Sequence, residues 1–328
     1  MPLITLRRAL DAARAGGYAV GAFNVSDLVQ AEAVLDAAEA TGSPVILASL
    51  AGITSHGSDE RFWAGLHDLI GHYPTVPVVL HLDHGPDPST CYRAMDAGFT
   101  SVMIDGSLRD GRPATFDENV AVTVEVAEVA HERGISVEGE LGTIGGAEGD
   151  GTRAEIQLAD PEEGRRFVDR TRVDALAIAI GTSHGAYKFA TPPRGDVLRL
   201  DLVAEFARIV PDTHLVLHGS SSLPAALREQ ANRYGGALPD SWGTPDEEKV
   251  RAIALGIRKI NQGMDSHLAF TAAVRAQLGT DPVNVDPSRY LSAGRTAMFE
   301  IVAARMRLFG QAGHAPDLLP AAPAGRTG

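Results

Sequence analysis

Short apolar runs rich in β-branched residues alternate with longer amphipathic stretches along the whole chain. The short runs fall at residues 18–24, 44–48, 76–82, 101–104, 136–140, 175–180, 214–217 and 257–261. They are almost continuously hydrophobic, the pattern of strands covered on both faces. Helix-like stretches lie between them, among others at 27–40, 88–96, 116–132, 161–170, 200–209 and 223–234, with apolar positions recurring every three or four residues. An amphipathic segment, Leu6-Arg7-Arg8-Ala9-Leu10, precedes the first strand. Repeated strand-then-helix units build parallel sheets. Eight of them predict an α/β protein folded as a single (β/α)8 TIM barrel rather than an open doubly wound sheet. The turn after the first strand, Phe23-Asn24-Val25-Ser26, lacks the glycine-rich dinucleotide fingerprint.

A chain of 328 residues suffices for two average domains or for one barrel. No linker or internal repeat beyond the βα unit divides it. One barrel over residues 1–312 is therefore expected, followed by a loose Pro-, Ala- and Gly-rich tail at 313–328. Two stretches break the alternation. Residues 141–158, rich in Gly and acidic side chains, read as a mobile loop after the fifth strand; residues 235–246 read as an excursion before the eighth unit. The net charge of −13 argues against nucleic acid or an anionic membrane as partner. A single cysteine, Cys91, cannot form an internal disulfide, and no apolar run has membrane-spanning or signal-peptide character. The expected location is cytoplasmic.

The unusual polar residues collect at strand ends. His81-Leu82-Asp83-His84-Gly85 closes the third strand and Val137-Glu138-Gly139-Glu140 the fifth. Gly181-Thr182-Ser183-His184-Gly185 follows the sixth, and His218-Gly219-Ser220-Ser221-Ser222 follows the seventh. In a barrel these carboxyl ends converge on the catalytic face. Three imidazoles and a carboxylate meeting there suit a borderline metal such as Zn²⁺. One histidine at a strand end is more often a satisfied core residue than a ligand; several such ends, most with a glycine beside them, shift the balance. His56, His67, His72, His131, His267 and His314 lack such company and read as surface residues.

A competing motif exists. Residues 181–185 also match Gly-x-Ser-x-Gly, the nucleophile elbow of serine hydrolases, with Ser183 as nucleophile and Asp212 and His218 as loosely placed partners. That elbow needs a helix to start at the serine. Pro192 and Pro193 point to a loop instead, so a hydrolase remains an outside alternative.

At these residues the sequence resembles the class II, zinc-dependent fructose-bisphosphate and tagatose-bisphosphate aldolases, particularly the type found with Calvin-cycle enzymes. The motifs that carry the resemblance are TSVMIDGSL (100–108), VEGELG (137–142), DALAIAIGTSHGAYKF (174–189), GDVLR (195–199) and HLVLHGSSSLP (214–224). The likeness covers nearly the whole chain. It implies an aldehyde-lyase with His84, His184 and His218 as ligands of a catalytic Zn²⁺ or another divalent metal. Glu140 would be a further or alternative ligand, with Glu138 in support. Asp83 would be the acid/base at the C4 hydroxyl, and Glu148 on the Gly-rich loop would handle the proton of the ketone-derived carbanion. Asn261 would contact the enediolate and Asn24 would lie beside the substrate. Gly185, Lys188, Gly219 and Ser221 would hold the ketone phosphate with a monovalent cation, Na⁺ or K⁺. The resemblance further implies a small sugar-phosphate substrate and a homodimer or larger homo-oligomer. Retro-aldol chemistry agrees with such a site, since a cation stabilises an enediolate and a carboxylate takes the hydroxyl proton. A closing loop would keep water from the intermediate. A Schiff-base route would need a strand lysine, and Lys259 alone qualifies.

The sequence departs from this family at substrate positions. Gln262-Gly263-Met264-Asp265 follows Asn261 where relatives carry Ile-Asp-Thr-Asp or Val-Ala-Thr-Glu, so Met264 replaces the phosphate-binding threonine. Leu50 stands where relatives place Ser or Thr, one residue after Ser49. Ser292 stands where they place Arg or Lys for the far phosphate, with Arg295 close by. Such changes remove charge-assisted donors from the distal phosphate. The expectation is conserved metal and proton chemistry with altered recognition of the aldehyde half, with Met264, Asp265 and Arg295 in the substrate pocket. The alternative is an ordinary fructose-1,6-bisphosphate aldolase in which Ser49, Arg295 or Arg93 substitutes in space. A metal-dependent sugar-phosphate epimerase and a non-catalytic sugar-phosphate-binding barrel are the other readings. The helical stretch 289–309 could pack on the barrel or on another subunit.

Overall fold

A computed structural model describes residues 3–109, 112–144, 156–185, 189, 191–193 and 195–319. Eight parallel strands close a barrel: β1 (Val20–Asn24), β2 (Val45–Leu50), β3 (Val78–Gly85), β4 (Ser101–Ile104), β5 (Ser136–Leu141), β6 (Ala175–Ile178), β7 (His214–Leu217) and β8 (Ile257–Asn261). Each pairs with its sequence neighbours, and β8 pairs with β1 to complete the ring. The eight strands read from the apolar pattern are all present, three of them with unchanged bounds.

The barrel interior follows a two-residue period. Val20, Ala22, Ile46, Val79, Ala175, Ala177 and Val216 fill its lower layers, over Leu6, Leu10 and Ala13 of helix α1 (Leu6–Gly16), which plugs the N-terminal end. The residues in between, such as Leu47, Leu80, Val102, Leu176 and Leu215, face the surrounding helices. Both faces are therefore apolar and the strands show no alternation in composition. Continued upward, the inward parity selects Asn24, Asp83, Glu140, His218 and Asn261. The polar site is thus the last inward step of these strands, above a buried layer of His81, Glu138 and Lys259.

Around the barrel run α2 (Leu28–Thr41), α3 (Asp59–Gly71), α4 (Pro88–Asp96), α5 (Phe116–Glu132), α6 (Pro161–Thr171), α7 (Leu200–Ile209), α8 (Ala225–Arg233), α9 (Asp246–Leu255), α10 (Met264–Thr280) and α11 (Pro287–Leu308). Their starts are chemically marked. Asp27, Ser58, Asp87, Thr115 and Asp160 each accept a first-turn backbone N–H, worth about 1 kcal/mol apiece. The excursion at 235–246 leads into α9, so two helices separate β7 from β8. Helix α11 packs on α2 and α10 of its own chain. There Gly294 is required, because a Cβ would lie 2.8 Å from the Phe270 ring.

The described part of the expected tail, residues 313–319, is anchored to the barrel. Gly313 N and Ala315 N donate to the carbonyls of Thr41 and Gly42 at 2.9 and 2.8 Å. Leu318 is buried, and its carbonyl accepts from Arg8 Nη2 at 2.7 Å. Closing the barrel floor needs this apolar residue, which a composition of Pro, Ala and Gly conceals. Residues 320–328 lie outside the described set.

Candidate active site and metal centre

In a regular strand Asp83 and His84 would face opposite sides. His84 instead adopts φ 45°, and the pairing of β3 with β4 shifts register between Leu82 and Gly85. A left-handed residue that is not glycine is strained, and such strain is characteristic of functional sites. Here it turns both neighbours onto the barrel mouth. The rings of His84, His184 and His218 stand edge to face, with centroids 4.8–5.8 Å apart. One ring nitrogen from each lies within 4.8 Å of the others.

Carboxylates set the tautomers. Asp105 Oδ2 accepts from His84 Nδ1 at 2.9 Å, and Glu138 Oε1 accepts from His218 Nε2 at 2.7 Å. Although burial alone would raise both carboxyls, Asp105 is held well below its ordinary value by the His84 hydrogen bond and charge, and Glu138 is held at about 2 by Lys259 and His218. Ionised carboxylates only accept, so the facing nitrogens must carry the protons. His84 Nε2 and His218 Nδ1 face one another 3.0 Å apart, close enough that one proton or one metal cation must lie between them. Burial lowers His218 from its ordinary value, which keeps that ring neutral. Two nitrogens on one tetrahedral Zn²⁺ would stand about 3.3 Å apart. The donor set fits a divalent metal. Asp105→Ala should weaken its affinity by about 10–100-fold, the usual cost of losing an orienting carboxylate, read by competition with a chromophoric chelator. Unchanged affinity would show that His84 needs no such partner.

Glu140 adds a second position. His84, Asp105 and Glu140 also form a cluster within 4.8 Å. Ser107 Oγ donates to Glu140 Oε1 at 3.1 Å, while Oε2 is buried with no partner. Burial and the Asp105 charge raise the Glu140 carboxyl well above its ordinary value. A carboxylate in such a place becomes favourable when a cation is beside it.

Asp83 occupies the centre of the mouth, fully buried. Its Oδ2 accepts from Asn24 Nδ2 at 2.8 Å and its Oδ1 from Asn261 Nδ2 at 3.0 Å. Burial would raise it, but the His84 charge and the Lys259 ammonium hold it well below its ordinary value. Lys259 itself binds Glu138 Oε2 at 2.7 Å and His81 Nε2 at 3.2 Å in the barrel interior. It is committed to an ion pair beneath the site.

Several sequence expectations change here. Asp265 is no pocket residue. Its two oxygens accept from the backbone of Ser222 at 3.1 Å and Leu223 at 2.8 Å, and Arg305 pairs with it at 3.2 Å, so it braces the loop after β7. Arg295 on α11 pairs with Asp36 and Glu32 of α2. Ser49 faces outward, where its hydroxyl accepts from Trp63 Nε1 at 3.1 Å. His267 is not a surface residue but bonds the Asn24 carbonyl at 3.1 Å. With Leu223, Leu268 and Met264 it lines an apolar cleft. Gly219, at φ 59°, touches the β6 loop so closely that a Cβ would lie 2.8 Å from the Ser183 carbonyl. Gly185 and Ser221 sit on these two adjoining loops. Glu148 and Lys188 lie outside the described residues. Asp105 and its role on His84 were not singled out from sequence, though TSVMIDGSL contains it. The hydrolase reading is overturned: no helix starts at Ser183, the next described one being α7 at Leu200, and His218 is engaged by Glu138.

A closed parallel barrel with converging imidazoles and a buried aspartate at its carboxyl face belongs to the class of barrels equipped to hold a divalent metal beside an acid/base. The model of the family "Fructose-bisphosphate aldolase class-II" matches residues 4–314. A fructose-bisphosphate aldolase of Nostoc sp. is 46% identical over 97% of this chain and 92% of its own length. Another, from Pseudomonas aeruginosa, is 46% identical over 98% and 94%. Among solved structures, the YdjI aldolase from Escherichia coli K12 superposes with a TM-score of 0.75 at 29% identity, covering 95% of this chain and 99% of that one. The chain belongs to the class II fructose-bisphosphate aldolase family and is a lyase that performs aldol cleavage. No described helix is long and apolar enough to cross a membrane.

Proposed function

We propose that this chain cleaves and forms a ketose phosphate by metal-dependent aldol chemistry, with an aldehyde half that carries no phosphate. The observation behind the chemistry is the convergence of His84, His184 and His218 ring nitrogens within 4.8 Å of one another beside the buried Asp83. His84, His184 and His218 would hold the divalent ion, with Zn²⁺ the best match to three nitrogens. When bound, that ion supplies Lewis acidity for a ketone oxygen and for the enediolate charge. Asp83, held by Asn24 and Asn261, takes the C4 hydroxyl proton as the C–C bond breaks and returns it in the reverse direction. Glu148 is assigned the proton of the ketone-derived carbanion. Gly185, Lys188, Gly219 and Ser221 are assigned the ketone phosphate, with a monovalent cation. By analogy with relatives the working enzyme is a cytoplasmic homo-oligomer.

The reading of the aldehyde half rests on side-chain direction. Leu50 is the last residue of β2 and lies in register with Asp83, so an aliphatic group borders the acid/base. Its polar neighbour Ser49 points away, toward Trp63. Arg295 is paired with α2, and Arg93 is paired with Glu60 and Asp59. Each candidate substitute for a distal phosphate ligand thus has another partner.

The test is C–C cleavage of ketoses phosphorylated at both ends, at one end or at neither, with and without a chelator. Chelator-sensitive cleavage confined to ketoses without the distal phosphate is the expected result. Rapid cleavage of fructose or tagatose bisphosphate would refute the altered aldehyde half and leave the aldolase chemistry standing. Isomerisation without cleavage, or metal binding without turnover, would refute both.

A further inference from the structure

At the opposite end of the barrel from the metal centre, a polar cavity of about 210 Å³ opens among α1, the C-terminal end of α7 and the first residues of β7 and β8. Arg14, Arg258, Thr213 and His214 contribute its polar groups. We infer that this cavity is a binding site for a phosphate group, gripped by the guanidinium groups of Arg14 and Arg258. The inference is independent of the substrate proposed above.

Neither guanidinium has a carboxylate within 4.0 Å among the described residues, in a protein whose net charge is −13. Asp11, one turn before Arg14 on α1, is engaged by His214 Nε2 at 2.9 Å. Arg14 Nη2 donates to His214 Nδ1 at 3.0 Å, which leaves that ring no further role as an acceptor. Burial, then the Arg14 charge, lowers His214 to about 4, so the imidazole is neutral and the local charge resides on the arginines.

The bland explanation for Arg258 is helix capping. Its Nη1 donates to the carbonyl of Ile253 in the last turn of α9 at 2.7 Å and to that of Ile257, the first residue of β8, at 2.8 Å. Capping accounts for Nη1 but not for Nε, which is buried without an acceptor. It also accounts for none of the placement of Arg14 close enough to lower the Arg258 guanidinium by like-charge repulsion, on top of burial. Two cations held together with no carboxylate beside either among the described residues are what a dianion relieves. Planar guanidinium forks match phosphate oxygens. At the end of α9, where free carbonyls would repel an anion, Arg258 covers that of Ile253. The volume is below the roughly 300 Å³ at which drug-sized sites begin, so a free phosphate or a small phosphomonoester fits and a nucleotide does not.

His214 offers a local readout. It lies four residues before His218 on β7, about 13 Å away along a strand, so it does not report phosphate at the active site. In ¹⁵N-histidine-labelled metal-loaded enzyme, the His214 ring resonances should shift saturably with inorganic phosphate at constant ionic strength. Binding should be at least tenfold weaker in Arg14→Gln and in Arg258→Lys, both of which should keep the wild-type cleavage rate. The lysine variant retains a charge that can cap α9, guarding against a simple folding defect. Tighter binding of glycerol 3-phosphate would identify the ligand as a phosphomonoester; equal or weaker binding would identify free phosphate. No saturable shift, the same shift with chloride, or undiminished binding in both variants would overturn the inference.

Discussion

Asp83→Asn is expected to lower kcat for cleavage by about 10²–10⁴-fold, the usual worth of a positioned acid/base, with metal content unchanged. The amide keeps the shape of the carboxylate but cannot take a proton. It also turns an N–H toward Asn24 Nδ2 or Asn261 Nδ2, which now donate to Asp83 at 2.8 and 3.0 Å. The loss corresponds to about 3–5 kcal/mol of transition-state stabilisation. Steady-state cleavage with metal analysis of the same sample is the measurement. A rate within tenfold of wild type at full metal occupancy would remove Asp83 from the proton-transfer role.

Removing the metal should have an effect at least as large. Stripping with a chelator, or replacing His218 by Ala, is expected to take cleavage to background, and Zn²⁺ or Co²⁺ should restore only the stripped wild type. Stability should report the same event. An ion at 1,000 times its Kd stabilises by about 4 kcal/mol, so Tm should fall by several degrees on stripping and recover on reloading. The physical reason is that ring nitrogens of His84, His184 and His218 converge within 4.8 Å, where a shared ion would tie three strand ends together. Full activity in metal-free protein would end the metal-dependent reading.

Much of this architecture was legible in the chain. Strands at 101–104, 214–217 and 257–261 and helices at 88–96, 116–132 and 200–209 keep the bounds expected from apolar runs and spacing. The reason is that burial on both strand faces and capping by residues such as Asp87 and Thr115 are local properties of the sequence. His84, His184, His218 and Asp83 were visible because they end hydrophobic strands.

What failed was everything that depends on direction. Ser49 and Leu50 are adjacent in sequence, yet one faces Trp63 while the other ends β2 in register with Asp83. Composition cannot show strand parity when both faces are apolar. Asp265 and Arg295 looked like pocket residues by position, but Arg305, Asp36 and Glu32, brought in from distant helices, claim them. Asp105 and Glu138 set imidazole tautomers only because register places β4 and β5 beside the mouth. Arg14 and Arg258 are 244 residues apart in sequence (258 − 14), and only closure of β8 onto β1 brings them to one cavity. The sequence by itself determined the barrel, the family and the ends of the strands where chemistry sits. The tertiary structure alone decided which side chains meet, because contact between distant residues depends on register and packing that no local pattern encodes.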